Sequence, residues 1–571
     1  MVPATTYLRC YERRISMEKI MGFPATSQDD YQLNMTNIMK HATRSFGRQE
    51  IVSRQLDGTM FSYTYKEAYQ RMQRLAGGLD AIGVHVGDRV GVLAWNSHEN
   101  CEIYFGLPGM GAVMLLLNLR LTPQDLSYVI NHAGARFIIV DQTLLPIAEA
   151  IAPLCETVEG WVIITRPGNT LSDVKTTLTP IYAYEDVLRD AAPTYTWPAM
   201  DEHSAYAACY TTGTTGKPKG VYYSHRDVYL HTCAIALSAE ITLKDTYCQV
   251  VPMFHALGWG LLQAATLVGA RLVFPGMYTL DTLESLSELM INEHVTVSAG
   301  APAIFMPLLE YIRGLENKPD LTGARLFSGA TEPPVAMMKG FWDLTGAEII
   351  HAYGATETSP LVTINRLKPW LEHDLTEDQR WDLKRKQGFC VVGLDIKVVD
   401  AAGKEVQADG ETPGEVLIRG PWITGRYHDA PGSEAQFTED GYWKSGDVGI
   451  LDEEGYLKIT DRVKDVIKSG GEWISSVDME NEIMSHPDVL EAAVVGVAHP
   501  KWQERPLALV ILREDAKGKR SDEDIRAHLQ KMFAKWQLPD KVLFVDQIPK
   551  TSVGKIDKKL IRAEHKDAYG G

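Results

Sequence analysis

The segment YTTGTTGKPKG at residues 210–220 decides the expected fold of this chain. It follows an apolar, strand-like run at residues 205–209 and precedes a helix pattern that starts near Ser224. Four threonines, three glycines and two lysines supply hydroxyl groups, accessible backbone N–H groups and ammonium groups, which together can surround phosphate oxygens. The segment therefore predicts a phosphate-binding loop at the end of a strand of an α/β sheet.

This loop does not have the spacing of a Walker A motif. Gly213 and Gly216 stand too close together, and Pro218 occupies the position where a Ser or Thr ligand of Mg²⁺ would follow the lysine. A P-loop ATPase or a kinase is therefore disfavoured. A solvated surface turn is the alternative interpretation, and the density of hydroxyl groups and lysines directly after a strand argues against it.

The chain around the loop alternates short apolar runs with longer helical patterns between about residues 60 and 360. This alternation is typical of parallel sheets covered by helices, in which ligands bind at the carboxyl ends of the strands. After residue 390 shorter strands and tight turns predict an antiparallel or barrel-like unit, and residues from about 466 predict a compact α+β unit. The predicted strands of the first region lie at residues 89–94, 136–140, 161–165, 270–274, 296–299, 325–327 and 348–351.

Composition excludes several classes of function. The 571 residues include 74 acidic and 57 basic side chains, and the net charge of −17 disfavours binding to nucleic acid or to an anionic membrane surface. The longest apolar stretch, at residues 105–119, is shorter than the roughly 20 residues that span a bilayer. Seven cysteines without a CxxC pair predict reduced thiols and a cytoplasmic location.

The phosphate loop and six further motifs, which follow it in order, resemble the adenylate-forming enzymes. This superfamily contains acyl-CoA synthetases, firefly-type luciferases and the adenylation domains of peptide synthetases. The resemblance covers nearly the whole chain and is closest to bacterial medium- and long-chain fatty acid–CoA ligases, especially through residues 468–476 and 499–506. The six motifs are MFHALGW (253–259), HAYGATE (351–357), YWKSGD (442–447), DRVKD (461–465), KSGGEW (468–473) and PKTSVGK (549–555).

The resemblance implies an α/β fold with a large N-terminal domain and a small mobile C-terminal domain. The N-terminal adenylation domain, residues 1–460, is expected to contain two helix-covered sheets and a small β-barrel-like subdomain. Residues 461–465 are expected to form a hinge at which Lys464 absorbs the backbone rotation. Residues 466–571 are expected to form the mobile α+β domain.

The same resemblance implies ATP, Mg²⁺ and CoA as the bound small molecules. Lys555 is expected to stabilise the transition state of adenylation, because its positive charge can screen the repulsion between a carboxylate and the α-phosphate. Glu357 and Thr212 are expected to hold Mg²⁺, which prefers hard oxygen ligands. Lys468 is expected to assist the second half-reaction, although a structural role suits it equally well.

The nucleotide is expected to contact a larger set of residues. Tyr353 resembles the aromatic residue that packs on adenine, with residues 329–331 as the opposite wall, and Asp447 and Arg462 resemble the contacts to the ribose. The expected cofactor-binding residues are Thr211, Thr212, Gly213, Thr214, Thr215, Lys219, Gly329, Ala330, Thr331, His351, Tyr353, Gly354, Thr356, Asp447, Ile459, Arg462, Lys464, Gly470, Gly471, Glu472 and Trp473.

The acyl pocket is expected to select the acid. In similar long-chain ligases a tryptophan at the position of Trp259 gates an apolar tunnel, and core packing is the alternative role for this side chain. Glycines 258, 260 and 300 are expected to leave space that an alkyl chain fills, at ~0.8 kcal/mol per buried methylene. The expected substrate contacts are His255, Trp259, Gly300, Pro302, Gly329 and Tyr353.

The expected activity is that of an AMP-forming carboxylate–CoA ligase in lipid metabolism. ATP, an apolar acid such as a medium- or long-chain fatty acid, and CoA would give acyl-CoA, AMP and diphosphate through an acyl-adenylate. An aryl, short branched or thioether acid as substrate, and delivery of acyl-AMP to a carrier protein, stay open as alternatives. The expected partners are these small molecules and a second copy of the chain in a homodimer, with neither nucleic acid nor a membrane span.

Overall fold

The computed structural model describes residues 20, 22–23, 25–27, 30–211, 217–279, 282–470, 472–550 and 556–570. The chain forms two compact units, which are described separately below. The first unit comprises Met1–Asp395 and Ile418–Trp443, and the second comprises Ile396–Leu417 and Lys444–Gly571. The predicted hinge at residues 461–465 therefore lies inside the second unit, and the domain boundary at residue 460 stays a prediction.

The first unit contains two sheets whose central strands run parallel, as the sequence predicts. The nine-stranded sheet has the order β16-β15-β14-β13-β12-β10-β11-β1-β2, and the seven-stranded sheet has the order β7-β6-β5-β3-β4-β8-β9. These strands are β1 (Glu50–Arg54), β2 (Met60–Thr64), β3 (Arg89–Leu93), β4 (Val113–Leu116), β5 (Ala135–Asp141), β6 (Gly160–Ile164), β7 (Ile181–Ala183), β8 (Ala205–Tyr210), β9 (Gly220–Ser224), β10 (Thr246–Cys248), β11 (Arg271–Phe274), β12 (Val297–Gly300), β13 (Arg325–Ser328), β14 (Glu348–Gly354), β15 (Leu361–Ile364) and β16 (Phe389–Cys390).

Helices cover both sheets and pack on them through buried apolar side chains. In the residues that the structure describes, the α-helices are α1 (Met35–Phe46), α2 (Tyr65–Ala81), α3 (His98–Gly109), α4 (Pro123–Ala133), α5 (Leu145–Ile151), α6 (Tyr184–Arg189), α7 (His225–Ser238), α8 (Leu261–Val268), α9 (Leu283–Asn292), α10 (Pro302–Gly314), α11 (Val335–Thr345), α12 (Leu371–Asp374), α13 (Glu377–Arg385), α14 (Ser476–Met484), α15 (Asp522–Leu529) and α16 (Lys558–Glu564).

The phosphate loop connects two antiparallel strands. β8 runs parallel to β4 and ends at Tyr210, and β9 returns beside β8 before α7 begins. Ser224 caps α7 by accepting a hydrogen bond from the N–H of Asp227, whose side chain accepts one from the N–H of Ser224 in return. The helix start near Ser224 is thus confirmed, whereas β9 is a strand that the sequence reasoning missed.

The second unit contains two sheets, antiparallel except for the parallel pair of β24 and β25, and three helices in the part of the chain that the structure describes. One sheet has the order β17-β18-β19-β20 and, in the described residues, does not close into a barrel. The other has the order β22-β21-β24-β23, with β25 paired to β24. These strands are β17 (Asp395–Val399), β18 (Gly414–Arg419), β19 (Trp443–Leu451), β20 (Leu457–Arg462), β21 (Ile467–Ser469), β22 (Glu472–Ile474), β23 (Val489–His499), β24 (Gln503–Leu512) and β25 (Lys541–Phe544).

The short apolar runs of the sequence locate the strands well. All the strands predicted between residues 89 and 351 are present, with ends that differ by three residues or fewer. In the second unit the charged pattern at residues 521–533 predicts a helix, and the helix observed there, α15, is shorter and ends at Leu529. Among the described residues, none of the helices is long and apolar enough to cross a membrane.

Candidate active site

The base of the phosphate loop is held by hydrogen bonds between its two ends. The N–H of Thr211 donates to the carbonyl oxygen of Lys219 at 2.9 Å, and the N–H of Lys219 donates to the Thr211 hydroxyl at 3.3 Å. The tip of the predicted loop lies outside the described residues. The predicted site residues affected are Thr212, Gly213, Thr214 and Thr215.

Glu357 lies close to this loop, in the short 3₁₀ turn Thr356–Thr358 that follows β14. The hydroxyl of Tyr427 donates to Oε1 of Glu357 at 2.7 Å, and the hydroxyl of Tyr223 on β9 donates to the carbonyl of Thr356 at 2.7 Å. The N–H of Thr424 donates to the carbonyl of Glu357 at 2.8 Å. Tyr427 therefore holds the carboxylate, whereas Tyr223 and Thr424 hold the backbone of the turn.

Tyr427 also connects Glu357 to the loop. The ammonium group of Lys219 lies 4.9 Å from the centroid of the Tyr427 ring, within the range of a cation–π contact. Burial and the neighbouring Glu357 raise the pKa of Tyr427 well above its usual range, so the hydroxyl stays protonated and remains a donor. Sequence reasoning missed Tyr427, because it lies outside the quoted motifs.

Two of the residues expected to bind the nucleotide, Gly354 and Ala330, lie at positions with restricted space or unusual backbone torsion. A Cβ at Gly354 would lie 1.9 Å from the carbonyl oxygen of Pro360, so that position requires glycine. Ala330 has φ of 69°, in the left-handed region, and is exposed, as is Thr331. Tyr353 is half-buried near the end of β14.

His351 is buried in β14, away from solvent. Its Nδ1 lies 2.7 Å from the carbonyl oxygen of Arg385, at the end of α13. Burial lowers the pKa of His351 to about 4, so the ring is neutral at pH 7. The contact ties β14 to α13, which is a packing role beside the nucleotide contact that the resemblance implies.

Trp259 lies in a stretch of left-handed backbone. Every residue of the turn Ala256–Gly260 has a positive φ, from 42° at Ala256 to 75° at Gly260. Left-handed backbone costs about 1–2 kcal/mol for each non-glycine residue, and such strain persists only where the surroundings hold it. The Trp259 side chain is 8 % exposed and packs against Gly329, where a Cβ would lie 3.1 Å from its ring.

The expectation that glycines 258, 260 and 300 open space for an alkyl chain is wrong for this structure. Neighbouring side chains already fill the positions that a Cβ would take. A Cβ would lie 2.7 Å from the amide of Gln249 at Gly258, 2.4 Å from the ring of His231 at Gly260 and 3.1 Å from the ring of Phe305 at Gly300. His255 is exposed at the start of the turn, and Pro302 begins α10.

The second unit brings together the two residues expected to contact the ribose. Asp447 on β19 and Arg462 on β20 are register partners, and Nε of Arg462 lies 2.7 Å from Oδ1 of Asp447. Asp447 is 4 % exposed, whereas the Arg462 side chain is 56 % exposed. Ile459 lies on the same strand, opposite Gly449.

The motif at residues 468–473 forms a tight turn between β21 and β22. Lys468 faces Trp473 across the pair of strands, and its N–H donates to Oε2 of Glu504 at 2.9 Å. Gly470 has φ of 63° and donates its N–H to the carbonyl of Trp502. Lys464 is exposed, and Glu472 is the first residue of β22. Gly471 and Lys555 lie outside the described residues.

The described residues contain no group of three His, Cys, Asp or Glu side chains that could hold a metal ion. Mg²⁺ commonly binds one or two carboxylates together with water and substrate phosphates. The half-buried carboxylate of Glu357 is hard and correctly charged for that role, so the residues present fit the ion.

Comparison with known proteins assigns the family. The family described as AMP-binding enzyme matches residues 39–428, and the AMP-binding enzyme C-terminal domain matches residues 478–555. The chain belongs to this family. It is similar to a long-chain-fatty-acid–CoA ligase of Thermus thermophilus, at 44 % identity over 97 % of this chain and 99 % of the relative.

Two further similarities, one to a named CoA ligase and one to an ATP-bound structure, concern this AMP-binding enzyme over nearly its whole length. It is 37 % identical to a 3-methylmercaptopropionyl-CoA ligase of Ruegeria lacuscaerulensis, over 94 % of this chain and 98 % of the relative. It resembles the crystal structure of ATP-bound MatB from Rhodopseudomonas palustris with a TM-score of 0.77 and 25 % identity, over 94 % of this chain and all of that one. The enzyme is therefore an AMP-forming acid–thiol ligase that uses ATP and CoA, as the sequence motifs predict.

Proposed function

We propose that this enzyme activates an apolar carboxylic acid, specifically a medium- or long-chain fatty acid, and transfers it to CoA. The relative at 44 % identity, which is named a long-chain-fatty-acid–CoA ligase, supports this substrate class. The observation that carries the adenylation chemistry is the contact series Lys219, Tyr427 and Glu357 at the base of the phosphate loop. It brings one cation and one carboxylate to the place where ATP phosphates are expected.

In the proposed first half-reaction, a carboxylate oxygen of the acid forms a bond to the α-phosphorus of ATP, and the bond to diphosphate breaks. Glu357 and Thr212 would hold Mg²⁺, which neutralises phosphate charge when bound. Lys219 contributes a second positive charge beside the phosphates. Lys555 is proposed to screen the two anions from each other as the pentacovalent transition state forms.

In the proposed second half-reaction, the CoA sulfur forms a bond to the acyl carbon and AMP leaves. Rotation at Lys464 of the hinge, residues 461–465, would carry the C-terminal domain, residues 466–571, relative to residues 1–460. The turn that contains Lys468 and Trp473 would then take part in the transfer. The exposed side chain of Lys464 supports this role, because a buried side chain there would resist rotation.

A smaller acid is the second candidate substrate, and the filled glycine positions favour it. Gln249, His231 and Phe305 occupy the volume that an alkyl chain was expected to use. An aryl, short branched or thioether acid needs less of that volume. The similarity to a ligase named for 3-methylmercaptopropionate points in the same direction.

A diphosphate-release assay distinguishes these candidates. The purified enzyme is incubated with ATP, Mg²⁺ and acids from acetate to palmitate, together with benzoate, phenylacetate and 3-methylmercaptopropionate, with CoA and without it. We expect the highest kcat/KM with straight-chain acids of eight carbons or more. Preference for the small acids would replace the first candidate with the second, and adenylation without transfer to CoA would indicate a donor to a carrier protein.

The proposal extends to the conditions in which the enzyme works. We expect activity to require Mg²⁺, since the described residues offer Glu357 for it. We also expect a cytoplasmic homodimer that serves lipid metabolism, and sedimentation of the purified chain tests the dimer directly.

A further inference from the structure

The second unit contains a nearly buried lysine with no role in the chemistry proposed above. Lys558 is the first residue of α16, and its side chain is 12 % exposed. Its Nζ lies 2.7 Å from the hydroxyl of Ser476 and 2.8 Å from Oε1 of Glu480. A lysine is rarely buried unless it is paired, and here Ser476 and Glu480 compensate the buried charge.

The contacts of Lys558 continue to the first residue of the predicted hinge, at the end of strand β20. Ser476 donates its N–H at 2.6 Å and its hydroxyl at 2.7 Å to Oδ2 of Asp461, which is 2 % exposed. Asp461 belongs to β20, whereas Ser476 begins α14. Burial raises the pKa of Asp461 and of Glu480, and the charge of Lys558 opposes this shift at both carboxylates.

A second contact from the same helix reaches the hinge itself. Arg562 lies four residues after Lys558, on the same face of α16. Its guanidinium donates to the carbonyl oxygen of Lys464 at 3.1 Å and forms an ion pair with Asp465. Helix α16 therefore contacts Lys464, the residue at which rotation is expected, and the residue that follows it.

These contacts depend on one orientation of the chain at Lys464. A change in the backbone torsion there turns the carbonyl that Arg562 binds, and it moves Asp461 relative to Ser476. A contact made in only one of two orientations shifts the population towards that orientation. When the contact is lost, Asp461 or Lys558 loses a hydrogen bond, and this loss sets the free-energy difference between the two orientations.

We propose that Asp461, Ser476, Lys558 and Arg562 form an orientation lock, which holds the residues after the hinge in one of their two orientations. The lock rests on the proposed function, in which the two half-reactions use different orientations. Only Ile556 and Asp557 separate α16 from Lys555. The lock is therefore a positioning device for the segment that carries this lysine.

The test compares the two half-reactions in variants of the full chain. Ser476→Ala removes the hydroxyl that joins Lys558 to Asp461, and Lys558→Gln removes the charge. Acyl-AMP formation is measured without CoA, and thioester formation is measured from supplied acyl-AMP and CoA without ATP. We expect the ratio of the two rates to change about tenfold or more in both variants, in the same direction, as loss of a hydrogen bond to a charged group implies.

Matched controls separate the lock from general destabilisation. Ser485→Ala removes an exposed hydroxyl at the other end of α14, and Lys559→Gln removes the exposed neighbour of Lys558. Both controls should keep the wild-type ratio, and Lys558→Arg should restore it. An unchanged ratio in Ser476→Ala and Lys558→Gln, including a parallel fall of both rates, would overturn the lock.

A substrate-free measurement keeps this test independent of the proposed function. Trypsin cleaves after Arg462 and Lys464, which are both exposed at the hinge. We expect Ser476→Ala to be cleaved there about tenfold faster than Ser485→Ala, because the lock no longer restrains the hinge. If the wild-type enzyme activates none of the acids, the proposed function fails, and equal cleavage of the two variants would then refute the lock.

Discussion

Replacing Tyr427 with phenylalanine removes one hydroxyl group from the proposed site and leaves the ring in place. That hydroxyl donates to Oε1 of Glu357 at 2.7 Å, and the ring lies under the ammonium group of Lys219. The variant therefore tests whether Glu357 must be held in one position for adenylation. Tyr427→Leu, which removes the ring as well, adds the loss of the cation–π contact.

The size of the effect follows from the kind of contact. A hydrogen bond to a charged group contributes about 1.5–3 kcal/mol, so Tyr427→Phe should lower kcat/KM for adenylation about 10- to 100-fold. A partly exposed cation–π contact contributes about 0.5–1 kcal/mol, so Tyr427→Leu should cost a further two- to fivefold. If Glu357 holds Mg²⁺, both variants should also need a higher Mg²⁺ concentration for half-maximal activity.

The assay is diphosphate release at saturating acid over a series of Mg²⁺ concentrations. Tyr311→Phe is the matched control, because the Tyr311 hydroxyl donates to Glu288 at an exposed position on α10. The control should behave as wild type. If Tyr427→Phe keeps the wild-type kcat/KM and the wild-type Mg²⁺ dependence, the proposed role of the Tyr427 and Glu357 pair is incorrect.

Three further predictions concern other parts of the enzyme. Lys555→Ala should slow acyl-AMP formation about 10²- to 10³-fold and largely spare transfer from supplied acyl-AMP. If both half-reactions of the variant keep their wild-type rates, the role of Lys555 is contradicted. Phe305→Leu should raise kcat/KM for longer acids relative to shorter ones by about tenfold, because each methylene that enters the freed space raises kcat/KM about fourfold. Phe341→Leu, which alters the ring packed edge-on against Phe305, is the control and should keep the wild-type preference. Burial lowers the pKa of His351 to about 4, below the ~6.5 of an unfolded chain, so the free energy of unfolding should be highest above about pH 6.5 and fall as the pH drops towards 4. Urea unfolding at several pH values measures this fall, and His351→Gln should make it shallower.

Much of the fold was predictable from local patterns. Short, almost continuous apolar runs locate the buried strands, and longer helical patterns locate the helices, because both signals arise between residues that are near each other in sequence. The seven predicted strands of the first unit are confirmed for this reason. β9 was missed because it is short and directly follows the glycine-rich loop, where turn residues dominate the pattern.

The glycines show where local reasoning fails. A glycine reveals that its own Cβ is absent, but it does not reveal which side chain occupies the vacant volume. Phe305 fills the position beside Gly300 and His231 fills the one beside Gly260. Whether a small residue creates a cavity depends on packing from other elements, and that packing exists only in the folded chain.

The amino-acid sequence alone determined the class of chemistry, since a phosphate loop, an acidic turn and a lysine-bearing tail are each encoded within a few consecutive residues. Only the tertiary structure decided which other side chains contact those residues. Tyr427 meets Glu357 across 70 positions, and Arg562 meets Asp465 across 97. Such contacts leave no periodic signal along the chain, because the path of the whole fold, rather than the spacing of neighbours, brings the two partners together.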